Sequence, residues 1–148
     1  MNKEVNFEIA KLLKEKGFSW EYRHFYSKSK YDKEFYLKTG TEYESDRDCI
    51  WDWNLNGGKS GMLSKIIPYP NDSDAIYYSA PTIAEIVMWL YEKHDIWIVV
   101  DEYNNDEEGR WFYNWKSLKA QSEGMDSGFN APTKAYEAAI KYILENLL

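Results

Sequence analysis

The chain has 148 residues, a net charge of −7 and a single cysteine, Cys49, and these bulk properties exclude several classes of protein. The length suits one domain spanning 1–148, and no apolar run approaches the roughly 20 residues of a membrane helix, so no membrane partner is expected. The acidic net charge disfavours direct nucleic-acid binding. The charged N-terminus does not resemble a secretory signal, and the lone cysteine suits a reducing compartment, so a cytoplasmic protein is expected.

The first forty residues predict a helix followed by a hairpin. Apolar residues recur at helical spacing from about Lys3 to Lys16, and Gly17 suits the left-handed residue that ends a helix. Alternating aromatic and polar residues then predict strands at 18–26 and 34–39, with a polar loop between them. The inward side of the helix is expected to carry Val5, Ile9, Leu12, Leu13 and Lys16.

The middle of the chain, 41–79, has a weaker pattern. Asn56-Gly57 is its strongest signal, because a tight hairpin turn of type I′ requires a positive φ at both central residues. It predicts strands at 49–55 and 62–67 on either side of the turn. A further short strand is predicted at Ile76–Ser79.

From Thr82 onward the pattern is clearer. Thr82 and Glu85 form the spacing of a capping box, which predicts a helix that begins after Thr82 and ends at His94-Asp95. Strands are predicted at 96–103 and 110–116, a polar connection at 117–129, and a last helix from Asn130 to about Leu147. The inward faces of the two helices are expected to carry Ile83, Ile86, Val87 and Leu90, with Trp89 at the margin, and then Tyr136, Ala139, Ile140, Ile143 and Leu147.

Together these elements predict an α+β fold. We expect a single antiparallel sheet of about four to seven strands, with three helices packed on one face. The C-terminal half is expected to be an α-β-β-α unit.

Several patterns resemble reactive or ligand sites but lack what the chemistry requires. Gly58-Lys59-Ser60 matches the end of a phosphate-binding loop, yet Trp53 stands where that motif has its first glycine. The acidic runs at 42–48 and 101–108 lack the spacing of a calcium loop and are interpreted as solvated charges. Nothing near His24, His94 or Cys49 supports a catalytic pair. The sequence therefore predicts no catalytic residue, no metal site and no cofactor, and it favours a protein that is not an enzyme.

Aromatic residues are unusually abundant, with 7 Trp, 13 Tyr and 6 Phe. Most are expected to fill the core, since large rings bury much area. One face of each hairpin would remain uncovered, and such a patch usually marks an interface. The predicted ligand-binding or partner-binding residues lie beside the Asn56–Gly61 segment and on the second hairpin, and they are Trp51, Trp53, Asn56, Lys59, Trp111, Tyr113 and Trp115.

Four segments together carry a family resemblance: Lys11–Phe18, Ala80–Ala84, Trp89-Leu90 and His94–Ile98. They resemble a family of small uncharacterised proteins of gut Bacteroides-type bacteria and their phages and prophages. The resemblance covers about the first 20 residues and the chain from about residue 80 onward. It implies a mobile-element or accessory origin and an intracellular site, and it brings no catalytic residues.

Three functions follow as hypotheses. The first is a non-enzymatic phage or mobile-element accessory protein that binds an unknown protein partner or forms a homo-oligomer. The second is a small-ligand or carbohydrate-binding module that uses exposed Trp51, Trp53 and neighbouring Tyr. The third is an acidic nucleic-acid mimic that inhibits a DNA-binding protein, which predicts carboxylates arranged in a stripe.

Overall fold

A computed structural model of the chain describes residues 3–18, 24–28, 32–39, 76–103 and 109–148. The described residues form three helices and two antiparallel sheets of three strands each. The predicted α+β class with three helices is confirmed, and the described strands belong to two sheets instead of the single sheet that was expected. The chain divides into an N-terminal unit, Glu4–Pro81, and a C-terminal unit, Met1–Lys3 with Thr82–Leu148. The single domain over 1–148 stays a prediction.

Helix α1 (Phe7–Glu15) begins later than the predicted Lys3. The side chain of Asn6 accepts a hydrogen bond from the backbone N–H of Ile9 at 3.0 Å, so Asn6 caps the helix and fixes its first turn. Gly17 follows the helix with φ of +77°, as predicted. The side chains of this segment that are buried are Val5, Ile9, Ala10 and Leu13, whereas Leu12 and Lys16 are half-buried.

The first sheet consists of β1 (His24–Lys28), β2 (Tyr36–Thr39) and β3 (Ile76–Ser79) in the order β2-β1-β3. β1 pairs antiparallel with both neighbours, which confirms the predicted hairpin and the short third strand. β1 extends to Lys28, two residues into the loop that was predicted between the strands. The predicted hairpin around Asn56-Gly57 lies outside the described residues.

Four aromatic rings pack together in the N-terminal unit and join α1 to its sheet. Phe7 stacks on Phe35 with ring centroids 4.3 Å apart, and it meets Tyr26 and Tyr78 edge-on at 5.5 Å each. The hydroxyl of Tyr26 also donates to the carbonyl of Val5 at 2.9 Å. All four rings are half-buried, so they pack between the helix and the sheet without belonging to the buried core.

Helix α2 (Ile83–His94) has the predicted boundaries and the predicted capping box. The Thr82 N–H donates to Glu85 Oε2 at 2.7 Å, and the Glu85 N–H donates to Thr82 Oγ1 at 3.4 Å. Asp95 ends the helix in the left-handed conformation, with φ of 56°. The buried side chains of α2 are Ile83, Ile86, Trp89 and Leu90. Trp89 therefore belongs to the core, although it was predicted at the margin of the inward face, and Val87 is half-buried.

The second sheet consists of β4 (Ile96–Glu102), β5 (Trp111–Ser117) and β6 (Ser122–Phe129) in that order. The prediction of a polar connection at 117–129 was wrong, because β6 occupies most of that segment. Among the described residues, β6 pairs with β5 alone and exposes most of its side chains, and its sequence has no apolar alternation. The C-terminal half is therefore an α-β-β-β-α arrangement instead of α-β-β-α.

Helix α3 (Pro132–Asn146) begins with a proline, whose fixed φ suits the first helical turn. It packs against the sheet and against α2. Tyr136 and Leu147 are half-buried instead of central, and the buried side chains are Ala135, Glu137, Ala139, Ile140, Ile143 and Leu144. None of the described helices combines the length and the apolar character that a membrane crossing requires.

Candidate functional site

The two faces of the β4-β5-β6 sheet have different environments. Ile96 and Ile98 of β4 and Tyr113 and Trp115 of β5 are buried, and all four lie on the face that α3 covers. Side chains alternate between faces along a strand, so the residues between them point the other way. We call these two surfaces the inner face and the outer face.

The predicted site residues of the second hairpin lie on the inner face. Tyr113 is 4% exposed and Trp115 is 7% exposed, while Trp111 is half-buried beside the guanidinium of Arg110. Tyr113 packs against Phe129, with ring centroids 5.7 Å apart. The structure thus places these rings against the helical side of the sheet, and Tyr113 and Trp115 belong to the core.

Trp115 occupies a close-fitting position between α3 and β6. Its ring stacks on Tyr142 with centroids 5.9 Å apart, and on its other side it covers Gly124 of β6. A Cβ atom at Gly124 would lie only 2.7 Å from Trp115 Nε1. The absence of a side chain at Gly124 therefore makes room for the indole ring.

The environment of Tyr113 is unfavourable to a phenolate. Burial raises the pKa of its hydroxyl above the ordinary value of 10.0, and the nearby Asp126 and Tyr142 raise it further. Both effects favour the neutral hydroxyl of Tyr113 over its phenolate.

The outer face consists of three rows of side chains across the strands, set by the pairing register. Each row takes one residue from β4, one from β5 and one from β6 in turn. Row 1 is Trp97, Lys116 and Glu123; row 2 is Val99, Asn114 and Met125; row 3 is Asp101, Phe112 and Ser127.

The outer face exposes three large apolar side chains. Trp97 is 46% exposed, Val99 is 42% exposed and Met125 is 59% exposed. A groove of about 590 Å³ is lined by all the residues of rows 1 and 2 and also by Trp115 and Gly124 of the same strands. Scattered apolar residues on a surface are ordinary, but neighbouring ones on a single face indicate a binding surface.

Aromatic pairs extend the outer face at two ends. The ring of Tyr91, from the last turns of α2, meets Trp97 edge-on with centroids 4.9 Å apart. Tyr103, just after β4, packs on Phe112 at 4.6 Å. Tyr91 and Tyr103 are themselves 41% and 43% exposed, so they widen the apolar surface.

The sequence did not identify this face, although part of the signal is present. In Ile96–Val100 every residue is apolar, which describes a strand with apolar side chains on both faces. Since α3 covers only one of them, the run predicts that Trp97 and Val99 remain uncovered. Met125 gives no such signal, because it lies in a polar strand.

The chemistry available on the outer face is limited to burial, hydrogen bonding and a few charges. Its charged residues are Lys116, Asp101 and Glu123, all outside row 2. In the described part of the chain, no three His, Cys, Asp or Glu side chains are grouped so that they could hold a metal ion. The side chains of the outer face can bury apolar area, form hydrogen bonds and pair opposite charges.

A second cavity, of about 460 Å³, lies beside the end of α2. Lys93, His94 and Lys119 line it together with Leu147 and Leu148, which follow α3. Burial lowers the pKa of His94 below its ordinary value of 6.5, and the charge of Lys119 lowers it further. The ring of His94 meets Trp89 edge-on at 4.5 Å, so this histidine forms part of the packing at the end of the helix.

The remaining predicted site residues, Trp51, Trp53, Asn56 and Lys59, lie outside the described residues. The same holds for Cys49 and for the acidic run at 42–48. Their assignment as ligand-binding or solvated residues stays a prediction.

Comparison of the chain with models of protein families, with curated proteins and with solved structures found no match. The resemblance to small proteins of gut bacteria and their phages therefore stays a prediction, and the outer face is the principal structural observation that bears on function.

Proposed function

We propose that the protein acts without catalysing a reaction, by binding a partner protein through the outer face of its C-terminal sheet. The observation that carries this proposal is the joint exposure of Trp97, Val99 and Met125 on one face of the sheet. Removing such apolar area from water favours association by about 25 cal/mol per Å². A partner with a complementary apolar surface gains that free energy.

The composition of the outer face resembles the centre of a protein interface. Such centres are depleted in charge and enriched in aromatic residues and methionine. Row 2, with Val99, Asn114 and Met125, has no charge, and the aromatic residues Trp97 and Phe112 lie on either side of it. The charges of Lys116, Asp101 and Glu123 form a polar surround.

The proposal includes an accessory role on a phage or other mobile element and a location in the cytoplasm. Support for the role comes from the resemblance of four sequence segments to such proteins. Support for the location comes from the single cysteine, which suits a reducing compartment.

A retention experiment tests the proposed function. The immobilised chain is exposed to a bacterial lysate, and in parallel its mass in solution is measured by light scattering. Met125→Glu places a charge in the centre of the outer face, while Leu118→Glu places the same charge at a residue that is 53% exposed in the turn after β5. We expect self-association or specific retention by the wild type and by Leu118→Glu, with at least about tenfold less for Met125→Glu.

A wild-type chain that stays monomeric and retains nothing contradicts the proposal. Equal retention by Met125→Glu contradicts it too, because the contact then lies elsewhere. Circular dichroism of each variant establishes that it is folded.

A second candidate is the binding of a carbohydrate or another small ligand. One observation favours it: the exposed ring of Trp97 lies in the groove beside the hydrogen-bonding groups of Asn114, Lys116 and Glu123. Titration of a glycan and metabolite panel, followed by tryptophan fluorescence, discriminates it, since Trp97→Phe should abolish any response. The acidic mimic remains a further prediction, because the run at 42–48 lies outside the described residues.

A further inference from the structure

We draw no further inference here: the strongest candidate, the outer face of the β4-β5-β6 sheet around Trp97, Val99 and Met125, belongs to the site already described, and nothing in the structure shows what covers it.

Discussion

Gly124→Ala should destabilise the C-terminal unit, although replacing glycine in a strand usually stabilises it. The new methyl carbon would lie 2.7, 2.8 and 2.9 Å from three atoms of the Trp115 ring, against 3.4 Å for ordinary contact. The ring would have to move by 0.5–0.7 Å, and it is 7% exposed and stacked on Tyr142. Overpacking of this kind costs about 1–3 kcal/mol, which exceeds the ~0.4–1 kcal/mol gained by restricting the unfolded chain.

Urea denaturation followed by circular dichroism measures the effect. We expect the free energy of unfolding to fall by about 1–2 kcal/mol with an unchanged dependence on urea. Trp115→Phe removes the indole nitrogen and part of the ring, so in that background Gly124→Ala should cost at least about 0.5 kcal/mol less. A Gly124→Ala protein as stable as the wild type, or an equal cost in both backgrounds, refutes the reasoning.

Two further changes concern α2. Ile86→Ala should lower the free energy of unfolding by about 2–5 kcal/mol, because the Ile86 side chain is fully buried. Thr82→Ala should lower it by only about 0.5–1 kcal/mol, because the hydrogen bond that Thr82 Oγ1 accepts from the Glu85 N–H is long. Urea titration compares the two variants, and a larger loss for Thr82→Ala would contradict the burial argument. His94 has a lowered pKa, so its stabilising contribution is fully present above its unfolded pKa of 6.5 and is lost as pH falls through the lower folded value. His94→Gln should therefore lose less stability than the wild type between about pH 7 and about pH 5 in thermal melts, and identical pH profiles would show that this histidine is not the cause.

Local signals predicted much of the described fold. The capping box of Thr82 and Glu85 placed the start of α2, and the apolar run after Asp95 placed β4, because each depends only on neighbouring residues. The sequence did not predict β6, because the turn before it gives no recognisable signal. Gln121 adopts a φ of +51° in that turn, a conformation that glycine or asparagine usually marks in a sequence. Its pairing with β5 is a contact that the residues of β6 alone do not specify.

The candidate site was harder to predict than the fold. Trp111, Tyr113 and Trp115 alternate with Phe112 and Asn114, a pattern that places the three rings on one face of a strand. Which face α3 covers depends on how distant elements pack, and the sequence of β5 does not contain that information. The opposite face therefore became visible only through the exposure of Trp97, Val99 and Met125.

The polar edge of the second sheet limits the form that an assembly of this chain can take. β6 has Glu123 and Asp126 within it and a left-handed Gly128 near its end, at φ of +94°. Such an edge is a poor template for a further strand, so chains do not add to it one after another as they do in a growing fibre. The polar composition of β6 therefore protects one edge of the sheet from strand addition, whereas β4 at the other edge carries the apolar run Ile96–Val100.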